Sequence, residues 1–382
     1  MIEILDTTLR EGEQTPGVFF DNHIKLAIAE LLEQVGVTYI EAGHPLVSAE
    51  IYDAVKKLAN RKNRQAIIAA HSRCMQKDVD LALECGVEFI GLFYCVSDER
   101  LNGVFNNTLT SAVDQINEVI RYAKQKNPNI IIRFTPEDAV RSDFNNVAKA
   151  SVAAAQAGAD IISIADTTGY MIPGTERNYF DYLKRLKNVF LENNVNPKIA
   201  VHCHNDRGLA LANALDAYQA GANIIDATVL NLGERTGIVD LAQLLTVLTI
   251  DFGEKQWNLK ILPKLYKLIS HHANFAIPKN FPIIGKNAFT HCAGVHTHAA
   301  TKNPLHYESL NPEIVNRQRE ICLDHMSGIS SVRWALKKIN VEADDELAQK
   351  ILKQVKEIGQ RGRTVDLDEL PHIVAWFREH DY

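Results

Sequence analysis

The chain has 382 residues, 46% apolar and 23% charged, with 20 Gly and 12 Pro, a composition that excludes disordered, collagen-like and coiled-coil proteins. Lys and Arg number 41 against 47 Asp and Glu, and no stretch gathers basic residues into a phosphate-tracking stripe, so nucleic acid is not an expected partner. The opening MIEILDTTLREGEQ has acids where a signal peptide needs a basic region and an apolar run. No window approaches the ~18 apolar residues of a membrane span, so no membrane partner and a cytoplasmic location are expected.

Strand-like runs appear in chain order at residues 2–8, 38–43, 65–71, 89–96, 129–135, 161–167, 198–204 and 224–230. Amphipathic helical stretches alternate with them, among them NHIKLAIAELLEQVGV, SAVDQINEVIRYAKQK and FNNVAKASVAAAQAGA, and several end in a Gly suited to a left-handed cap. Apolar strands separated by helices predict a parallel sheet, because parallel neighbours need a crossover. Eight such units predict an α/β fold, a (β/α)8 TIM barrel. A doubly wound sheet fits less well, since no G-x-G-x-x-G turn follows the first strand. After Gly253 the alternation stops and helical patterns take over, so the predicted division is a catalytic barrel over 1–258 and a helical C-terminal subdomain over 259–382. Six cysteines, Cys74, Cys85, Cys95, Cys203, Cys292 and Cys322, form no C-x-x-C pair and are expected to be reduced thiols.

A TIM barrel builds its active site at the C-terminal ends of its strands. Arg10 and Glu11 follow strand 1, His71 ends strand 3, Arg133, Thr135 and Glu137 end strand 5, Asp166 and Thr167 end strand 6, and His202 and His204 end strand 7. His202-Cys203-His204 is the sharpest signal, because residues i and i+2 of a strand point the same way and present two imidazoles to one cation. Glu11 would add a carboxylate, giving an open two-nitrogen, one-oxygen set suited to Zn, Mn or Mg with substrate oxygens completing the shell. Cys203 should face the other side.

Four segments, DTTLREGEQTPGV (6–18), VHCHNDRGLALANALDAYQAGA (201–222), NLGERTGIVDL (231–241) and AFTHCAGVHTHAATKNPLHY (288–307), resemble the 2-isopropylmalate, homocitrate and citramalate synthase family. The resemblance implies Claisen condensation of acetyl-CoA with a 2-oxo acid on a metal-binding barrel, followed by thioester hydrolysis. It implies Glu11, His202 and His204 as metal ligands, and Arg10 as the group polarising the keto oxygen. His296 of A-G-x-H would be the base toward the acetyl methyl, assisted by Glu137 and Tyr307. It further implies a homodimer in which the post-barrel part of one subunit covers the barrel of the other. His291 and His298 are expected to be solvated loop histidines.

Arg133 within RFTPED and His71 within AAHSR match the homocitrate synthase branch, and Glu-Arg-x-Gly followed by Ile238 agrees. An Arg133 fork would meet the distal carboxylate of a dicarboxylic 2-oxo acid such as 2-oxoglutarate, with His71, Thr135 and Thr167 as further substrate contacts. The loop VSDERLNGVFNNT (96–108) and the turn GHP at 43–45 depart from that branch. They leave open oxaloacetate, as in Re-type citrate synthases, and the isopropylmalate and citramalate reactions. An acyl-CoA retro-aldol lyase would carry a catalytic Cys after strand 8, and NLGERTGIVDL has none. A non-catalytic binding protein would be expected to lack one of Arg10, Glu11, His202, His204 or His296.

Overall fold

The structure is a computed structural model and describes residues 1–294, 303 and 306–380. His296 and His298 lie outside the described residues. Eight strands, β1 (Glu3–Asp6), β2 (Tyr39–Glu41), β3 (Ile67–Arg73), β4 (Phe89–Cys95), β5 (Ile131–Glu137), β6 (Ile161–Asp166), β7 (Lys198–Cys203) and β8 (Ile224–Ala227), close into a barrel in sequential order. All neighbours are parallel and β1 closes on β8 with Leu5 beside Asp226. The predicted (β/α)8 architecture is therefore present.

The local chemistry that starts and stops the outer helices is readable residue by residue. Asp21, Ser48, Thr108 and Asn178 each accept the backbone N–H three residues on, at the N-termini of the helices Asn22–Val35, Ala49–Ala59, Leu109–Lys126 and Tyr179–Glu192. These side chains satisfy donors that the first helical turn leaves without partners. Gly36 and Gly158 end their helices at φ 98° and 116°, where a side chain would be strained.

Inside the barrel, strand parity sorts the residues by height. Leu5, Tyr39, Ala69, Phe89, Ile161, Ala200 and Ile224 pack together as an apolar floor. Two residues further along the same strands stand Glu41, His71, Gly91, Ser163, His202 and Asp226, and Arg133 stands two beyond Ile131, which packs on that floor. Successive inward positions thus pass from hydrocarbon to charge within one pleat.

The barrel unit runs to Ala276 and a second compact unit covers Ile277–Tyr382. The helix Leu262–His272 lies in the barrel unit, where the Tyr266 hydroxyl donates to Asp240 Oδ2 at 2.8 Å and accepts from Ala242 N at 2.7 Å. The second unit has its own core, built on Leu323, Val332, Leu336, Ile351, Val355, Leu370 and Val374, from the helices Ile329–Lys338, Asp345–Gly359 and Leu370–Glu379. It also holds a short parallel pair, β9 (Thr290–His291) and β10 (Glu320–Ile321). Among the described residues no helix is long and apolar enough to cross a membrane.

Burial lifts the Asp240 carboxyl from an ordinary 3.8 to about 6 against the hydrogen bonds from Gln243 N and Tyr266. Between those values the folded chain keeps a proton that the unfolded chain releases. The contribution of this group to stability is fully present below the unfolded value and is lost as pH rises through the folded one. Asp240→Asn cannot ionise, so its stability relative to wild type should shift in the variant's favour between about pH 4 and about pH 7. Urea unfolding at the two pH values measures the gap; an unchanged gap would contradict a buried, protonated carboxyl.

Candidate active site

The turn after β1 is shaped by its own side chains. Asp6 accepts from Thr8 N at 2.9 Å and Thr8 Oγ1 at 3.2 Å, while the backbone of Glu11 donates to Thr7 O at 2.8 Å. This turn delivers Arg10 and Glu11 to a cavity of about 230 Å³ at the C-terminal end of the barrel. Arg10, Glu11, Gln14, His71, Phe93, Arg133, Thr135, Glu137, Ser163, Thr167, His202, His204 and Asp226 are among its lining. The structure brings the predicted barrel residues to this one cavity. Tyr307 belongs to the second unit, where it is 47% exposed.

Glu41, at the end of β2, is fully buried. Its Oε2 accepts from Thr7 Oγ1 at 2.6 Å and Arg10 Nε at 2.7 Å, and its Oε1 faces Arg133 Nη2 at 3.0 Å and His71 Nδ1 at 3.3 Å. Burial alone would raise its pKa, but Arg10, Arg133 and His71 outweigh that and hold it well below the carboxylate range. Asp226 plays the matching part on β8: both its oxygens lie 3.0 Å from Arg133 Nη1, and Oδ2 lies 3.0 Å from His202 Nδ1.

Arg133 differs from its sequence-based picture. It points inward beside His71, but its two terminal nitrogens are committed to Asp226 and Glu41, and it is 2% exposed. A guanidinium this deep needs carboxylate partners, and the protein supplies them. The fork is therefore consumed internally, and Nε is its buried donor without a partner. His71 lies flat on Phe93, with ring centroids 4.6 Å apart, and burial and nearby Arg10 pull its pKa down to about 4.

The three predicted metal ligands converge. Each of Glu11, His202 and His204 offers a donor atom, and these atoms lie within 4.8 Å of one another. His202 Nε2 and His204 Nε2 are 3.3 Å apart. In the neutral ring that a metal requires, His202 donates Nδ1–H to Asp226, which fixes the tautomer and turns the Nε2 lone pair into the cavity. Burial and His202 bring the His204 pKa to about 4, and His204 Nδ1 is buried without a partner. Burial would raise Glu11, but Arg10 and the two histidines bring it to about 2, so it is an anion. One Glu11 oxygen accepts from Glu234 N at 2.9 Å and the other is paired with Arg10. Gly233, at φ 153°, allows this approach, because a Cβ there would sit 2.9 Å from Glu11 Oε1. Two imidazole lone pairs and an ionised carboxylate aimed at one point fit a divalent cation. Cys203 is buried and its thiol interacts with Tyr179, whose helix lies outside the barrel.

Glu137 is ion-paired with Arg100 at 2.9 Å. Arg100 comes from the VSDERLNGVFNNT segment, and its part here was not foreseen. Thr167 Oγ1 accepts from Asp138 N at 3.1 Å, so its hydroxyl proton remains to be donated. His291 is not a solvated loop residue: it lies 3.0 Å from Glu308, which also pairs with Arg319. Glu41, Asp226, Gln14 and Arg100 are the site residues that motif reasoning missed. For Glu41 and Asp226 a signal existed, namely an acid inside the apolar runs TYIEAG and IIDATVL at an inward-facing parity.

Residues 1–269 match the HMGL-like family, and residues 283–363 match the homocitrate synthase post-HMGL domain-like family. Among similar proteins, a homocitrate synthase of Pyrococcus horikoshii is 41% identical over 92% of this chain and 94% of its own length. A homocitrate synthase of Saccharolobus islandicus is 40% identical over 98% of this chain and 80% of its own. In fold, the chain is similar to the HMG-CoA lyase of Bacillus subtilis, with a TM-score of 0.61 and 22% identity over 72% of this chain and 95% of that one.

Glu41→Gln removes the charge that Arg10 and Arg133 share. Losing one member of a buried ionic cluster typically costs ~3–5 kcal/mol. Denaturant unfolding should show a destabilisation of that order together with loss of turnover; a cost under ~1 kcal/mol, the size of a surface ion pair, would mean that Glu41 does not hold the cluster.

Proposed function

We propose that this chain, which belongs to the HMGL-like family and carries a homocitrate synthase post-HMGL domain, condenses acetyl-CoA with a dicarboxylic 2-oxo acid, 2-oxoglutarate, and hydrolyses the thioester to release CoA and homocitrate. It is thus an acyltransferase that converts the acyl group to an alkyl group on transfer. The observation that carries the reading is the convergence of Glu11, His202 and His204 on one point beside Arg10, in a chain 41% identical to a homocitrate synthase over most of its length.

Glu11, His202 and His204 would hold the cation, which when bound acts as a Lewis acid toward the 2-oxo acid. Zn, Mn and Mg all suit this set. Arg10, fixed by Glu41, donates to the keto oxygen and stabilises the negative charge that grows on it as the new carbon–carbon bond forms. His296 removes a proton from the acetyl methyl, with Glu137 and Tyr307 assisting. The carbanion attacks the keto carbon, the oxyanion takes a proton, and water then cleaves the thioester. Thr135 and the free hydroxyl proton of Thr167 serve the substrate carboxylates. His71 supports the acceptor end, and Arg133 offers Nε–H together with a fixed positive edge rather than an open fork.

His296 and Tyr307 belong to the second unit and the metal ligands to the first, and we infer a homodimer in which the second unit of one copy serves the barrel of the other. Mixing His204→Ala with His296→Ala subunits should then restore activity that neither has alone; no recovery after confirmed subunit exchange would reject the shared site.

Oxaloacetate is the second reading, kept open because the segment VSDERLNGVFNNT and the turn GHP at 43–45 depart from the homocitrate branch. The test is release of free CoA thiol with acetyl-CoA, a divalent metal and a panel of 2-oxoglutarate, oxaloacetate, pyruvate and 2-oxoisovalerate. The highest kcat/KM is expected for 2-oxoglutarate, and release without any acceptor preference would refute the assignment. His202→Ala should abolish turnover in a folded chain. His296→Ala should lower it by roughly 10²–10⁴-fold, the usual contribution of a positioned acid or base, and should slow exchange of the acetyl methyl protons; unchanged exchange would remove His296 from the role.

A further inference from the structure

The sequence presents Cys292 and Cys322 as scattered thiols, but the fold of the second unit sets them side by side. Strands β9 and β10 pair in parallel with Thr290 opposite Glu320 and His291 opposite Ile321. The next residue of each is a cysteine, and Cys322 N donates to His291 O at 2.8 Å. Two residues on, Asp324 turns its carboxylate to the same place. One sulfur from each cysteine and one Asp324 oxygen lie within 4.8 Å of one another. The two turns that carry them are locked together. Gly294 N donates to Met326 O at 3.1 Å, and a Cβ on Gly294 would meet Gly328 N at 2.8 Å. Asp324 is itself held, with its N donating to Ser327 Oγ at 2.8 Å and its Oδ1 accepting from Met326 N at 2.7 Å.

We propose that Cys292, Cys322 and Asp324 form a second cation site in the post-barrel unit, selective for a thiophilic divalent ion such as zinc. Two thiolates and one carboxylate supply three of the four positions of a tetrahedral shell. The group lines a cavity of about 570 Å³, from which water would complete the shell. The donor chemistry separates this site from the barrel. Sulfur ligands select zinc over magnesium and manganese, whereas the nitrogen and oxygen set of Glu11, His202 and His204 accepts all three. Cys292 precedes His296 by four residues, so a bound ion would tie the start of that segment to the Asp324 turn.

The test uses the full chain, reduced and stripped with a chelator, and titrated with cobalt(II). Sulfur ligation gives an intense thiolate-to-cobalt charge-transfer absorption that nitrogen and oxygen ligands do not. The absorption is expected in wild type and in His204→Ala, and should be lost in Cys322→Ser. Its absence from wild type at saturation, its survival in Cys322→Ser, or its loss in His204→Ala would overturn the proposal. Should Cys322→Ser fail to fold, wild type is alkylated with and without zinc and mapped by mass spectrometry. Zinc should protect Cys292 and Cys322 while leaving Asp324→Asn more readily labelled, and equal labelling of wild type under both conditions would reject the site.

Discussion

Everything at the catalytic end of the barrel depends on a carboxylate that has no access to water. Glu41 takes four donors on two oxygens, two of them guanidinium nitrogens. An ion in such a place costs several kcal/mol to desolvate and is tolerated only when every lone pair is used. Asp226 meets the same demand from the other side of Arg133 and passes the orientation on to His202. Arg10 is aimed because Glu41 is held, and the His202 tautomer is set because Asp226 is held. Both acids are kept in place by Arg133, at the centre of the barrel.

This dependence explains which features could be read from the residues in order. The barrel was legible because apolar runs and helical periods alternate eight times along the chain, and each run became a strand. The cluster of Glu11, His202 and His204 was legible because parity on one strand and position on a shared rim are local properties. Arg133 was located correctly and its partners were not, because Glu41 and Asp226 lie 92 and 93 residues away in sequence and meet it only across the barrel interior. The helix Leu262–His272 looks like its successors in pattern, and its buried Leu262, Leu265, Tyr266 and Ile269 place it in the barrel unit.

The interior also shows how a barrel keeps a charged site over an apolar base without a gap. Ile131 packs on the floor and Arg133 stands two residues above it on the same strand. Phe89 belongs to the floor, and the Arg133 guanidinium lies 5.8 Å from its ring centroid, so the boundary between hydrocarbon and ion is an aromatic face that tolerates both. Gly91, between them on β4, keeps the space open: a Cβ there would touch Arg133 Nη2 and Glu41 Oε1, each at 3.4 Å.

A closed ionic cluster also shapes how such a cavity can change over evolutionary time. Any single replacement of Glu41, Arg133 or Asp226 strands a charge in the protein interior, so these positions can drift only in concert. Phe93, Thr135, Ser163 and Ala165 line the same cavity without belonging to that cluster. They are free to vary one at a time. Divergence toward acceptors of different size should therefore be written first in these four uncharged side chains, with the ionic centre inherited unchanged as the fixed frame around which they are exchanged.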